Sequence, residues 1–312
     1  MINKTILLEQ INIGALTAVK IEGVELFSVQ KTFDCGQCFR FDRVENSVHE
    51  CEFAGVAHGK YISVAQDGDT LYIYNATIDE YRDIWESFLS LDTDYSNINE
   101  SILSLSDNKN LKEAVCLSSG IRILRQDKWE ALCSFIISQN NNIPRIKKLV
   151  SALCYACDEK NSPPPEIMAG HIADAHINIK GSFSPFPCAD KVKALGVDGL
   201  FALKTGFRAK YIYDAAEKVD SGYLCLDEID TSKKMSECSD ILCSVKGVGP
   251  KVAACALLFG FGKLDAFPID VWIKRVIEKY FDESFDPQNL GEFAGVAQQY
   301  LFYYERYLQN KE

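Results

Sequence analysis

The chain has 312 residues, of which 47% are hydrophobic and 25% are charged. This composition can bury the core of about two domains and argues against a disordered chain. The sequence contains no uninterrupted apolar run of about 18 residues, which argues against a membrane-spanning helix. It holds 12 cysteines, and its start lacks the basic and then apolar pattern of a secretory signal. These features predict free thiols in a reducing compartment, and we expect a cytoplasmic protein.

The net charge of −11 is a weak guide to nucleic-acid binding, because binding uses a local patch of the surface. Residues 120–148 carry six basic and two acidic side chains, and residues 243–280 carry six basic and three acidic ones. Ordinary solvated surface explains these clusters as well as a DNA contact does. Charge therefore leaves nucleic acid open as a partner without deciding the question.

The N-terminal part of the chain shows strand patterns. Apolar and polar residues alternate over residues 39–43 and, less regularly, over residues 61–65 and 71–74, as in half-buried strands. The dipeptide Asp67-Gly68 between the last two segments is a strong hairpin signal. We therefore predict an antiparallel β region.

From Ile78 onward the periodicity is helical. Two segments have apolar residues at spacings of three or four: Tyr81, Trp85, Phe88 and Leu89, then Trp129, Leu132, Phe135 and Ile136. A further helix is expected to continue past Pro144, and the Ser-Pro-Pro-Pro sequence at 162–165 is expected to form a stiff loop. The predicted fold class is therefore α+β, with an antiparallel sheet domain over residues 1–112 and a larger α-helical domain over residues 113–312.

Residues 240–259 predict two helices joined by a tight turn. The first helix is expected to end near Val245, Gly247 and Gly249 allow the turn, and Pro250 suits the first position of the next helix. Such a helix–hairpin–helix presents backbone N–H groups at a helix N-terminus, where they bind a phosphate without net positive charge. A plain structural turn accounts for the Gly-Val-Gly sequence equally well.

Lys251 and Asp270 form a candidate catalytic pair. Lys251 lies in the first turn of the second helix, where the helix dipole opposes a cation. If it is desolvated, this lysine is held as a neutral, nucleophilic amine; the alternative is an ordinary solvated lysine. Asp270 begins the next helix, where it either only caps the helix or also faces a developing positive charge.

At these residues the sequence resembles the helix–hairpin–helix DNA glycosylases with the Gly/Pro…Asp signature, and more closely the 8-oxoguanine DNA glycosylase/AP lyase family. The segments that narrow the resemblance are CGQCFR (35–40), IRILRQD (121–127), SFIISQNNNI (134–143), GFRAKY (206–211) and AGVAQQYLF (294–302). Phe207, Trp272 and Ala254 differ from the animal members and suggest a bacterial-type member. The resemblance implies a TATA-binding-protein-like sheet domain packed on a helical domain of the HhH-GPD type, with the lesion pocket between them.

The resemblance implies a bifunctional glycosylase/AP lyase of base excision repair, which excises 8-oxoguanine, preferably opposite cytosine, and nicks the strand by β-elimination. Lys251 is implied to be the Schiff-base nucleophile and Asp270 the essential carboxylate. The lesion base is implied to be flipped into a pocket formed by Gly36, Cys255, Pro268, Gln298 and Phe302. The Gly36 carbonyl accepts N7–H in this scheme, Cys255 and Phe302 enclose the base, and Gln298 and the Pro268 carbonyl read its Watson–Crick edge. Core packing alone is the other interpretation of Cys255 and Phe302.

The DNA contacts implied by the resemblance lie on several segments. Asn140, Arg145 and Arg208 are implied to read the orphaned cytosine, and a polar loop is the alternative for the asparagines. Phe207 is implied to wedge into the base stack. Phosphates are implied to be contacted by the Trp272 N–H group and by the hairpin residues Gly247 and Gly249.

We expect no required cofactor and no iron–sulfur cluster, since no cysteine follows Cys255. The resemblance implies a monovalent or calcium-like cation held by the hairpin carbonyls of Cys243, Val245 and Val248. The expected partner is double-stranded DNA containing 8-oxoguanine, bound by a monomer without a membrane. The alternative function is a non-catalytic helix–hairpin–helix DNA-binding module.

Two Cys-x-x-Cys pairs, Cys35/Cys38 and Cys154/Cys157, raise the question of a zinc site, because four thiolates suit that ion. The pairs lie far apart in the sequence. One is expected next to a strand and the other within a helix, which argues against a shared site.

Overall fold

The computed structural model describes residues 6–13, 16–158 and 183–309. Its N-terminal part is a six-stranded antiparallel sheet with the strand order β1-β2-β6-β5-β4-β3. The strands are β1 (Leu7–Ile13), β2 (Leu16–Glu22), β3 (Phe41–Arg43), β4 (Cys51–Ala57), β5 (Lys60–Asp67) and β6 (Thr70–Tyr74). The helix α1 (Val29–Asp34) lies between β2 and β3 in the chain.

The predicted β region is confirmed, and its hairpin lies at the predicted dipeptide. Strands β5 and β6 pair from Ser63↔Tyr74 to Asp67↔Thr70, and Gly68 has the positive φ of 57° that this tight turn requires. The segment predicted at 39–43 forms only the short strand Phe41–Arg43. Strands β1, β2 and β4 were not predicted from the sequence.

The sheet has an apolar cluster on each face. One contains α1 and large aromatic side chains such as Phe33, Phe41 and Trp85. The other contains Tyr61 and Tyr74. Because both faces are covered, the central strands are buried along most of their length.

The rest of the described chain is helical. After the sheet come α2 (Ile78–Glu80), a π-helical turn (Tyr81–Trp85), α3 (Glu86–Phe88), α4 (Tyr95–Leu105), α5 (Lys109–Ser118), α6 (Lys128–Ser138) and α7 (Ile143–Cys157). The later helices are α8 (Ala189–Ala194), α9 (Gly196–Leu200), α10 (Ala209–Asp220), α11 (Met235–Cys243), α12 (Pro250–Gly260), α13 (Val271–Tyr280) and α14 (Ala294–Gln309). Short π or 3₁₀ turns are Phe201–Thr205, Gly206–Arg208, Leu226–Glu228 and Pro287–Phe293. The α+β class is thereby confirmed, and no described helix is both long and apolar enough to cross a membrane.

The helices predicted around Trp129 and beyond Pro144 are confirmed as α6 and α7. The Asp127 side chain caps α6 by accepting from the Glu130 N–H group at 2.8 Å. Asn142 caps α7 through the Arg145 N–H group at 3.0 Å, and Pro144 lies in the first turn of α7, where its missing N–H group costs little. The loop predicted at 162–165 lies outside the described residues.

Arg122 joins the sheet region to the helices that follow it. Its buried guanidinium donates to the carbonyls of Glu25 at 2.9 Å and Leu26 at 3.2 Å, and to those of Ser90 at 2.6 Å and Thr93 at 2.8 Å. The proposed division after residue 112 falls within α5 and stays a prediction.

Candidate active site

A cleft of about 1300 Å³ opens where six parts of the chain meet. These parts are the end of α1 and the loop after it, the α6–α7 loop, the hairpin before α12, the helix α12, the start of α13, and α14. The predicted site residues that line the cleft are Gly36, Asn140, Gly247, Gly249, Lys251, Cys255, Pro268, Asp270, Trp272, Gln298 and Phe302. Residues distant in sequence are therefore brought together at one surface.

The hairpin between α11 and α12 has the predicted geometry. Gly247 has a φ of +76°, and a Cβ atom there would lie 2.3 Å from the Tyr211 ring, so two independent constraints require glycine. Gly249 precedes α12 in extended conformation, and Pro250 occupies the first turn. The N–H group of Val248 donates to the Val245 carbonyl at 3.0 Å and closes the turn.

Side chains of the helix α10 form hydrogen bonds with this hairpin. The Asp214 carboxylate accepts from the Lys246 N–H group at 2.7 Å and from the Lys218 ammonium at 2.9 Å. Lys218 also donates to the Ser244 carbonyl at 2.5 Å. Partial burial raises the pKa of Asp214, but the hydrogen bonds from Lys246 and Lys218 outweigh this effect and hold it below the usual range. Asp214 therefore accepts these bonds as a carboxylate at neutral pH.

Lys251, Cys255 and Asp270 face one another in the cleft. Lys251 is half-buried in the first turn of α12, and Cys255 is buried one turn later on the same helix. Burial raises the pKa of that thiol, Lys251 lowers it in part, and the negative charge of Asp270 raises it. The Asp270 carboxylate caps α13 by accepting from the Ile273 N–H group at 2.8 Å. Capping does not use all the acceptor positions of a carboxylate, so Asp270 can also stabilise a positive charge in the cleft.

Among the described residues that line the cleft, Gln298 carries an unpaired polar atom. The Gln298 side chain is only 5% exposed, and its Oε1 atom has no hydrogen-bond partner among the described residues. A buried amide oxygen without a partner is costly, and this one can accept a hydrogen bond from a group that enters the cleft. Phe302 lies one helical turn after Gln298, with its ring 6.4 Å from that of Trp272.

Gly36 also lines the cleft, with a φ of +82°. A Cβ atom there would lie 3.2 Å from Ile143 Cδ1 and 3.7 Å from Phe302 Cε1. Only glycine leaves this space open, so a flat ring can approach the backbone here.

The three asparagines differ in what they contact. Asn141 donates to the Ile137 carbonyl at 2.8 Å, and Asn142 caps α7, so both have structural roles. Asn140 is exposed and has a left-handed backbone conformation with a φ of 50°. The DNA contact predicted for Asn140 therefore stays a prediction, whereas the side chains of Asn141 and Asn142 have structural partners.

The remaining predicted DNA contacts lie outside the cleft. Arg145 is exposed, and Phe207 is 52% exposed. Arg208 is only 4% exposed. Its guanidinium donates to the Gln139 carbonyl through two nitrogens and to the Asn140 carbonyl at 3.2 Å. The structure therefore shows Arg208 holding the turn that carries Asn140, and not presenting a free edge to a base.

The carbonyl groups predicted to hold a cation belong to Cys243, Val245 and Val248, at the back of the hairpin. Backbone carbonyl oxygens are suitable ligands for hard cations. The Val245 carbonyl accepts from the Val248 N–H group but keeps a second lone pair. These three carbonyl oxygens are therefore chemically suitable ligands for such an ion. The Lys218 ammonium group lies close by, because it donates to the neighbouring Ser244 carbonyl.

Comparison with known proteins agrees with the fold. Residues 19–132 match the family model described as the N-terminal domain of 8-oxoguanine DNA glycosylase. The structure of MBOgg1 with a low-affinity DNA ligand is 38% identical, covers 97% of this chain and 99% of that one, and superposes with a TM-score of 0.80. The chain belongs to the 8-oxoguanine DNA glycosylase family.

Two further members of this family illustrate how far the similarity extends. The Clostridium acetobutylicum 8-oxoguanine glycosylase/lyase, solved with duplex DNA containing cytosine opposite 8-oxoguanine, is 34% identical over 97% of this chain and 98% of its own, with a TM-score of 0.81. The N-glycosylase/DNA lyase of Saccharomyces cerevisiae is 31% identical over 184 residues, which are 55% of this chain and 45% of the yeast protein. The chain thus matches about half the length of the yeast protein and of its Arabidopsis thaliana relative.

The sequence did not single out Gln299 or Arg306 of α14. Gln299 is buried beside Gln298 and donates to the Cys35 carbonyl at 2.9 Å. Arg306 lines the cleft one helical turn beyond Phe302. The i, i+4 spacing from Phe302 was a usable signal for Arg306, whereas the bond from Gln299 to Cys35 joins residues 264 positions apart and had no local signal.

Proposed function

We propose that the protein is a bifunctional DNA glycosylase/AP lyase that excises 8-oxoguanine from duplex DNA and then nicks the strand. The single observation that carries the proposal is that Lys251, Cys255 and Asp270 line one cleft together with Gln298, whose buried oxygen has no partner among the described residues. The relatives are named as glycosylases that are also lyases, and these names support both the glycosylase and the lyase activity.

The chemistry begins at the Lys251 amine. Its lone pair attacks C1′ of the damaged nucleotide, and the electrons of the glycosidic bond leave with the base, which takes up a proton. Asp270 stabilises the positive charge that develops on the sugar. The C1′–O4′ bond then breaks as one of the two amine protons moves to O4′, which opens the sugar ring and leaves a protonated Schiff base, an iminium ion, between Lys251 and C1′.

The Schiff base also accounts for the lyase step. The iminium ion makes the C2′ proton acidic, and its removal by a base expels the 3′-phosphate by β-elimination. Water then hydrolyses the imine, which returns Lys251 as the free amine and releases the nicked strand with an unsaturated aldehyde at its 3′ end. No redox step is needed.

The cleft walls support recognition of an extruded purine. In the proposed complex the Gly36 carbonyl accepts a hydrogen bond from N7–H, a proton that 8-oxoguanine has and guanine lacks. Gln298 and the Pro268 carbonyl pair with the Watson–Crick edge, which gives the Gln298 oxygen its partner. The side chains of Cys255 and Phe302 enclose the ring between them.

The duplex is proposed to lie across the mouth of the cleft. The hairpin N–H groups at Gly247 and Gly249 and the Trp272 indole N–H group contact phosphates. Phe207 enters the base stack in place of the flipped base. Asn140 and Arg145 contact the orphaned cytosine, and Arg208 contributes through the Asn140 turn that it holds in this structure.

We further propose that the protein acts as a monomer in the cytoplasm without a required cofactor. A monovalent or calcium-like cation held by the carbonyls of Cys243, Val245 and Val248 would strengthen phosphate binding at the hairpin. Charge neutralisation at a phosphate is the chemistry that such an ion supplies.

The test is borohydride trapping on duplexes that contain one 8-oxoguanine opposite each of the four bases, with an undamaged duplex as control. The proposal expects a covalent protein–DNA band and a nicked strand, both strongest opposite cytosine and absent on undamaged DNA. Binding to every duplex without a trapped band would instead support a non-catalytic DNA-binding module. Equal trapping opposite all four bases would remove the cytosine preference from the proposal.

A further inference from the structure

Two side chains of α14 that the proposed chemistry does not use hold the loop just before Gly36. Gln299 Nε2 donates to the Cys35 carbonyl at 2.9 Å, and Arg306 Nη1 donates to the Asp34 carbonyl at 3.0 Å. These are the last two carbonyls before Gly36. The loop therefore cannot move relative to α14 without breaking a buried or a charge-assisted hydrogen bond.

Arg306 also contacts the ring on the same helix that faces Gly36. Its guanidinium carbon lies 5.8 Å from the centre of the Phe302 ring, within the range of a cation–π interaction. A Cβ atom on Gly36 would lie 4.0 Å from Arg306 Nη1 and 3.7 Å from the Phe302 ring. One guanidinium thus contacts both the loop that carries the Gly36 carbonyl and the Phe302 side chain.

We propose that Arg306 is a positioning residue that sets the gap between the Gly36 carbonyl and the Phe302 ring, and so determines how well the pocket selects the damaged base. This inference rests on the proposed function, because it assumes that the extruded base enters between Gly36 and Phe302. A fixed gap lowers the entropy cost of holding a flat ring and places the carbonyl before the base arrives. In this proposal Arg306 does not contact the reacting atoms. It acts through the loop that carries Gly36 and through the Phe302 ring.

The proposed role predicts that Arg306→Ala lowers the reaction rate only when the damaged base is present in the duplex. On a duplex with 8-oxoguanine opposite cytosine, Arg306→Ala is expected to slow single-turnover excision about tenfold, since a charge-assisted hydrogen bond is lost. On the same duplex with a preformed abasic site there is no base to hold, and Lys251 is untouched. Strand nicking there is expected to change by less than about twofold, a factor typical of remote substitutions.

Two further variants separate positioning from charge and from folding. Arg306→Lys keeps the positive charge and one donor, so it is expected to recover part of the excision rate if Arg306→Ala loses it. Arg82→Ala removes an equally charged, 64% exposed side chain on the π-helical turn after the sheet and is expected to change neither rate.

The outcomes distinguish this inference from the proposed function. If Arg306→Ala slows both reactions equally, or slows neither, the positioning role is wrong although the wild-type protein is active. If wild-type protein acts on neither duplex, the proposed function itself is wrong, and this inference falls with it. Should Arg306→Ala fail to fold, Arg306→Lys gives the same comparison, and equal losses on both duplexes again contradict the role.

Discussion

Phe207 and Phe201 are two exposed rings on neighbouring helical turns. Within the described part of the chain, Phe207 has ring contacts that fix its direction and Phe201 has none. Phe207 is 52% exposed and Phe201 is 62% exposed. The Phe207 ring packs on the Arg208 guanidinium at 4.3 Å and lies edge-on to Tyr211 at 5.8 Å. These contacts connect the ring to both the Asn140 turn and the hairpin, as a wedge next to an extruded base requires.

Phe207→Ala is therefore expected to weaken binding to an 8-oxoguanine duplex about tenfold, because the stacking contact is lost. Its free energy of unfolding is expected to change by less than about 0.5 kcal/mol, since the ring is largely exposed. Fluorescence anisotropy and urea unfolding measure the two effects. Phe201→Ala is the matched control, and equal losses of affinity in both variants would contradict the wedge.

At the residue scale, spacing in the sequence predicted part of the site. Lys251 and Cys255, and Gln298 and Phe302, are four residues apart on helices, and both pairs lie in the cleft. The burial of Arg208 was not predictable, because it depends on carbonyls of Gln139 and Asn140 that come close only after folding. The roles of these residues stay predictions until the variants are measured.

The hairpin is the element on which the candidate site is built, and its two glycines differ in what they tolerate. An added Cβ at Gly247 meets the Tyr211 ring at 2.3 Å, whereas one at Gly249 meets no atom within 4 Å. Gly247 also has a positive φ of 76°, and Gly249 does not. The tight contact with Tyr211 fixes the distance between the hairpin and α10.

Gly247→Ala is expected to lower the free energy of unfolding by about 2 kcal/mol or more, from backbone strain and the clash with Tyr211. Gly249→Ala is the matched control in the same turn and is expected to cost about 0.5 kcal/mol. Urea unfolding of both variants checks the difference. A Gly247→Ala protein as stable as Gly249→Ala would show that the hairpin is not held against Tyr211.

Among the larger elements, local signals predicted the β5–β6 hairpin, α6, α7 and the helices around Gly247. Strands β1 and β2 were missed because no Asn-Gly or Asp-Gly dipeptide stands between them to signal a hairpin. Strand β2 also joins β6 about fifty residues later, as the Val19↔Ile73 pair shows. Strand β4 was missed because it is buried on both faces, which removes the alternation of apolar and polar residues. Non-local pairing and two-sided burial leave no periodic signal in a single sequence.

At the scale of the whole molecule, a buried ion pair and the hydrogen bonds of its arginine connect four segments of the chain. Arg40, which follows α1, donates to Cys154 Sγ of α7 at 3.1 Å and to the Ser184 carbonyl at 2.5 Å. Its guanidinium lies 3.8 Å from the Glu130 carboxylate of α6. Burial raises the pKa of Glu130 to about 7, although Arg40 opposes the shift.

The raised pKa of Glu130 determines the direction in which stability changes with pH. Because the pKa of Glu130 is higher in the folded than in the unfolded protein, the folded state binds more protons between the two values, and stability falls as pH rises. The stabilising contribution is full below the unfolded pKa and is lost through about pH 7. The free energy of unfolding is expected to fall by about 2 kcal/mol between about pH 5.5 and about pH 8 from this group alone.

Urea unfolding at both pH values, for wild type, Glu130→Gln and the exposed control Glu283→Gln, measures this effect. Glu130→Gln is expected to remove the fall, because its side chain does not titrate, and Glu283→Gln to retain it. A Glu130→Gln protein with the wild-type pH dependence would show that the pKa of this carboxyl group is not raised in the fold.

The proposed function requires that one particular amine forms the bond to DNA. Borohydride reduction of the reaction with an 8-oxoguanine duplex, followed by nuclease and trypsin digestion and mass spectrometry, locates that bond. Cleavage after a modified Lys251 is blocked, so the account predicts the sugar adduct on the tryptic peptide 247–263, at Lys251. An adduct on another lysine, such as Lys274 at the edge of the cleft, would contradict the account.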